Sequence, residues 1–250
     1  MAKQKGIIKI RGTIGDITFF KAKDGDMYAR EKTSIDGERI KNDPNFIRTR
    51  ENGKEFGAAG KDAKLIRDAF NSNLVTAKDY RAHSRLVRLL MQISKLDTTS
   101  VRGSRTVGTA IISPTAMGLL KGFNFNINAQ LAEILKKPYA LNIATGVTTV
   151  NGLIPVNDVL PPEGATHVTL RGAWGKIDFV NRVFNVSQTN AVNLPINATS
   201  TNVTLTPTAA PTGAGTNIFL LQVEFFQLVN TVQYSLKNGA HNALSIIGVS

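Results

Sequence analysis

The sequence predicts an α+β protein: an N-terminal β-meander with a helical hairpin, followed by an all-β sandwich or jelly-roll-like domain. Three observations carry that expectation. Apolar residues alternate with polar ones over residues 6–30, they recur at spacings of three and four over residues 56–70, and from residue 140 the chain breaks into short β-branched or aromatic runs separated by turn residues. A change of composition sets the expected boundary. Residues 1–105 hold 23 Lys and Arg against 13 Asp and Glu, whereas residues 106–250 hold 7 against 5. The expected modules are 1–110, basic and charge-dense, and 111–250, nearly uncharged.

In the first module Ile8 and Ile10 alternate with Lys9 and Arg11, and Ile17 and Phe19 with Thr18 and Phe20. Met27-Tyr28-Ala29-Arg30 follows Asp24-Gly25, a pair suited to a type I′ hairpin. Gly12 and Gly15-Asp16 mark the first reversal. A sheet this small needs cover on one face, and the helices that follow are the nearest candidates. Residues 34–41 read as a polar link with a turn at Asp36-Gly37. Asp43 before Pro44 combines a side-chain acceptor with a fixed φ, the usual signals of a helix start. Phe56, Ala59, Ala63, Ile66 and Phe70 then share one stripe. Asn71-Ser72-Asn73 ends that helix, and Thr76-Ala77-Lys78-Asp79 is similar to a capping box opening a second helix that runs to about Leu96.

At 100° per residue, Lys78, Arg81, Arg85, Arg88 and Lys95 fall within one arc of the second helix, and Leu86, Val87, Leu90 and Ile93 lie opposite. Tyr80, Leu89, Met91 and Leu96 widen the apolar arc beyond half the circumference, more than a surface helix needs. Several elements of the same chain, or a neighbouring chain, must cover it. Arg102 and Arg105 follow in a Ser/Thr-rich link over residues 98–109. These seven cations are the candidate contact residues. The five on one helix face, with Arg102 and Arg105 following, suit phosphate backbones; the other readings are a solvated face or an inter-subunit seam against acids such as Asp62 and Asp68.

Beyond the link, residues 114–122 fit more than one state. Residues 123–127 alternate aromatic and Asn as a strand does, and residues 129–137 suit a short helix ended by Pro138. Candidate strands are 140–144, 147–150, 153–156, 167–171, 176–184, 203–206, 218–228, 232–236 and 243–247, with turns at Asn151-Gly152, Pro161-Pro162, Asn230 and Asn238-Gly239. Between Arg182 and Glu224 no residue is charged, and residues 185–216 are rich in Asn, Thr, Pro, Ala and Gly. Such a surface lacks the repulsion that keeps copies apart. It suits an extracellular setting, repeated packing against copies of itself, or simply an unusually neutral loop.

Catalytic chemistry finds little support. The chain has no cysteine, and His83, His167 and His241 have no spacing that brings two to one metal. The acids of the second half, Glu133, Asp158, Glu163, Asp178 and Glu224, are too scattered for a carboxylate pair. Gly57-Ala58-Ala59-Gly60-Lys61 fails as a phosphate loop, because Glu55 and Asp62 stand where Gly and Ser/Thr are required; its small residues suit close helix approach instead. Gly172-Ala173-Trp174-Gly175-Lys176 fails likewise. Neither an enzyme, a cofactor, a metal nor a small-molecule substrate is expected. Lys9 and Arg11 interrupt any signal-like apolar run, and no stretch is long enough to span a bilayer. The expected location is the cytoplasm, with release as an extracellular or virion-like assembly as the other outcome.

Three stretches, residues 40–56 (beginning Ile40-Lys41-Asn42-Asp43-Pro44), the opening from Gly6-Ile7-Ile8-Lys9 to Phe19-Phe20-Lys21, and the end from Tyr234-Ser235-Leu236 to Ser245-Ile246, together resemble a family of uncharacterised proteins from Bacteroidota. The resemblance implies no catalytic residue, and it implies that the two halves evolved as one unit. The functional expectation is a non-enzymatic structural subunit, bacterial or phage-like, that assembles with copies of itself into a filament, tube or virion-like particle. The alternative is a nucleic-acid-binding accessory protein using the basic helix face.

Overall fold

The computed structural model describes residues 2–32, 37–236 and 239–250. The chain is α+β and forms two compact units, Met1–Arg50 and Glu51–Ser250. The division falls well before the compositional boundary near residue 110. The helices of the basic stretch place their apolar faces in the same core as the C-terminal sheet, so composition changes within one unit.

In the first unit, β1 (Ala2–Lys3), β2 (Gly12–Ile14), β3 (Ile17–Lys21) and β4 (Met27–Glu31) form an antiparallel sheet in the order β1-β4-β3-β2. The expected strand around Ile8 and Ile10 is absent, and the neighbouring segments Ala2–Lys3 and Gly12–Ile14 pair instead. The turn at Asp24-Gly25 also differs from type I′. Only Gly25 has a positive φ, of 87°, and its amide bonds to the carbonyl of Ala22 at 3.0 Å, a turn followed by a left-handed glycine bulge. The expected turn at Asp36-Gly37 includes Asp36, outside the described residues; Gly37 opens the short helix α1 (Gly37–Asn42). Asp43 accepts from the Asn45 amide at 2.9 Å and caps a 3-10 turn, Pro44–Phe46, that leads into α2 (Ile47–Ala69). No described residue of this unit is buried.

The second unit is layered. Its middle layer is an antiparallel sheet built on two long strands, β7 (His167–Asp178) and β11 (Thr216–Val229), paired from Thr216↔Ile177 to Phe226↔His167. Two short strands complete each flank. The flank of β7 carries β8 (Val183–Gln188) and β9 (Val192–Pro195), and that of β11 carries β12 (Val232–Ser235) and β13 (Ala243–Val249). Along β11 the side chains alternate between two cores. Ile218 and Leu220 join the helical layer, while Phe219, Leu221, Val223 and Phe225 join the opposite one. A strand covered on both faces needs a nearly continuous apolar run, which is what residues 218–226 supply.

The helical layer consists of α2, α3 (Asn71–Leu74), α4 (Ala82–Ser94), α5 (Val107–Ala110) and α6 (Pro114–Leu120). Ala59, Ala63, Ile66 and Phe70 are buried as the stripe requires, but Phe56 is 60% exposed and Glu55 takes the inward place. Phe70 rests on Gly175, where a Cβ would come within 2.5 Å of the ring. The glycines of β7 thus serve packing. Those at 57 and 60 do not, since a Cβ at either meets open space. The second helix starts six residues later than its capping-box signal, because Thr76 turns its hydroxyl to Glu224 of the sheet.

The opposite core joins α7 (Leu131–Ile134) to a small sheet of β5 (Ala140–Leu141), β6 (Thr148–Leu153) and β10 (Thr201–Leu205), ordered β10-β6-β5. The strand expected at 153–156 is instead the end of β6 and a helical turn, α8 (Pro155–Asp158), as Pro155 dictates. Residues 122–125 form no named strand. They bond along β13, Phe125 N to Leu244 O at 2.8 Å and Ile246 N to Phe123 O at 3.0 Å, and so blunt that edge. The turn expected at Asn238-Gly239 includes Asn238, which lies outside the described residues.

Candidate functional site

The cations of the second helix and its link divide into two groups. Arg85, Arg102 and Arg105 are engaged within the chain. Arg85 pairs with Asp79, donates to the carbonyls of Asn124 at 2.7 Å and Phe125 at 3.2 Å, and lies 5.2 Å from the centre of the Phe123 ring. Arg105 grips Glu55 through two bonds of 2.8 and 3.1 Å, while the Gly103 amide adds a third at 2.7 Å. The Arg105 guanidinium, ahead of the opposing effect of burial, holds the Glu55 carboxyl below its usual range. Arg102 pairs with Glu51 at 3.3 Å and Asn52 at 3.1 Å. These three fasten segments together, and their charge is largely spent.

Lys78, Arg81, Arg88 and Lys95 are exposed, and among the described residues none has an acidic partner. Arg81, Arg88 and Lys95 are seven residues apart. They stay on one face, with a drift of about 20° per heptad, over about 21 Å of helix. Opposite them Leu86, Val87, Leu90 and Ile93 are buried in the helical core of their own chain. The wide apolar arc is therefore filled from within; only Tyr80, 101% exposed, and Leu96 at 37% stand out of it. Asp62 and Asp68, expected across a seam between copies, lie 3.7 Å from Arg182 and 3.7 Å from Lys64 of the same chain.

Two buried constellations were not legible in the sequence. Gln222 and Glu224 face the helical layer from β11. Gln222 accepts from Asn73 at 2.9 Å and donates to the Asn73 carbonyl at 3.0 Å, and Glu224, with 1% of its side chain exposed, takes bonds from Thr76 and Arg171. Their signal is the polar pair at alternating positions of an otherwise apolar strand. The other is Asp62, on the inward side of α2. Burial pushes its carboxyl up to about 6 against the opposing pull of Arg182, and its Oδ1 has no hydrogen-bond partner among the described residues.

Among the described residues no three His, Asp or Glu side chains converge on a metal-sized site. No helix among them is long and apolar enough to cross a membrane. Set against protein-family models, curated proteins and solved structures, the chain matches none.

Proposed function

We propose that the protein is a non-enzymatic structural subunit that assembles with copies of itself. The observation that carries this reading is the sheet β1–β4: it is regular, yet contributes no buried residue. An isolated small sheet is marginal in water unless something covers a face. Ile14 and Ile17 are 62% and 47% exposed there, and Ile7 and Ile8 in the preceding loop more so. Its edges, β1 and β2, are two and three residues long and offer unpaired backbone groups. A second support is the uncharged stretch 185–216, ordered in part as β8, β9 and β10 with many residues facing solvent. A filament, tube or virion-like particle is the form of assembly these surfaces suit.

Sizing chromatography with negative-stain electron microscopy at physiological salt tests it. Large regular particles are expected, and Ile14→Asp with Ile17→Asp should dissolve them; a stable monomer at tens of micromolar (roughly the range where specific interfaces associate) overturns the reading. The free cations Lys78, Arg81, Arg88 and Lys95 favour a second reading, binding of a nucleic-acid backbone. Neutralising about four phosphates gives a salt slope of roughly −3 on logarithmic axes. Filter binding that shows no such slope, or that survives Arg81→Glu with Arg88→Glu, rules it out.

A further inference from the structure

A cleft of about 320 Å³ opens between the end of α2 and the start of α4, lined in part by Arg67, Asn71, Lys78, Tyr80 and His83. Its volume is at the small end of ligand sites. Three features mark it as more than a surface hollow. First, the Arg67 guanidinium has no partner among the described residues, and its Nε is shut off from solvent. A half-buried guanidinium left unpaired is costly, and an anion relieves that cost. Second, the buried acid beside it is already committed, and the exposed one has a partner of its own. Asp79 accepts from Arg85, from the Ile127 amide at 2.9 Å and from the Arg81 amide at 2.6 Å, and Asp68 lies 3.7 Å from Lys64. Arg67 and Lys78 are thus the uncompensated charges. Third, Tyr80 stands wholly exposed at the rim with no ring or hydroxyl partner among the described residues, the arrangement of an aromatic platform for a planar base.

The geometry points to a nucleotide site, in which Arg67 and Lys78 hold a phosphate and Tyr80 stacks on the base. The backbone amide of His83, which lines the cleft in the first turn of α4 and has no acceptor among the described residues, adds a donor to the same phosphate. The site is independent of the assembly reading, and it needs one phosphate rather than the row of cations along α4. Its ligand is a free nucleotide or one nucleotide of a single strand.

Isothermal titration of the full chain with AMP, adenosine, inorganic phosphate and an eight-residue oligo-dT separates these sources. AMP is expected to saturate, with adenosine and phosphate each weaker by roughly tenfold or more because each lacks one of the two contacts. Tyr80→Ala should weaken AMP roughly 5- to 100-fold, the range of one base stack, and Arg67→Gln about as much, with Lys121→Glu as an unaffected control. Oligo-dT binding with the same dependence on Tyr80 and Arg67, in place of AMP, assigns the site to a strand. The proposal is overturned if neither probe saturates below about 10 mM, an affinity worth under about 3 kcal/mol by the ordinary conversion, or if binding ignores Tyr80→Ala, a surface change that leaves folding intact.

Discussion

The sheet of the first unit and the large sheet of the second are both antiparallel, and both begin from hairpins, but they are stabilised in opposite ways. Strands β7 and β11 carry apolar side chains on both faces, and each face has its own core. Strands β1–β4 carry Ile, Phe, Met and Tyr without one buried residue among them. Hydrogen-bond pattern is thus a poor guide to stability in this molecule. Covered area is what separates the two sheets, at about 25 cal/mol per Å² of apolar surface removed from water.

Matched truncations give the widest test of that difference. Phe225→Ala in the large sheet should cost about 3–5 kcal/mol by denaturant titration, because a fully buried ring leaves a cavity. Phe19→Ala in the small sheet should cost under about 1 kcal/mol in dilute protein but disrupt assembly; an equal cost for the two removes the contrast. Next in size is Glu224→Ala, which strands Arg171, Thr76 and Gln222 at the helix–sheet junction. A loss of about 3–5 kcal/mol is expected, much of it recovered when Arg171→Met is added.

Asp62 sharpens the comparison through pH. Its carboxyl is raised to about 6 by burial, so its protonated form favours the fold. That contribution is complete below the unfolded value near 3.8 and is lost as pH rises through about 6. Relative to Asp62→Asn, the wild type should lose on the order of 3 kcal/mol between pH 4 and 8; parallel stability profiles would show that Asp62 is solvated. The smallest effect is a gain. Gly57→Ala and Gly60→Ala, inside α2 with open space at each Cβ, should each add about 0.5–1 kcal/mol, read as a higher Tm. A loss would mean that close approach by another chain uses those glycines.

Much of the architecture was legible because strands and helices write their own periods into the chain. The α+β class, the stripe Ala59-Ala63-Ile66-Phe70 and the runs around β11 and β13 all follow from spacing. Strands β8 and β9 were harder to see. Their residues face solvent on one side and lack charge, so part of this region, residues 185–216, looked like loop. The candidate site was only half legible. Helical projection put Lys78, Arg81, Arg85, Arg88 and Lys95 on one arc, but Lys78 precedes α4, and the carbonyls of Asn124 and Phe125 that claim Arg85 are about 40 residues away in sequence. Arg105 and Glu55 are joined across 50 residues.

What the sequence determined alone is local. Glycine and proline placed the turns, β-branched runs the strands, and three-four spacing the first helix, because each is fixed by the conformational freedom of a few adjacent residues. The tertiary structure decided which apolar faces are filled, which cations stay free and which carboxylates are shut from water. Burial and charge pairing depend on atoms that only the folded chain brings within a few ångströms.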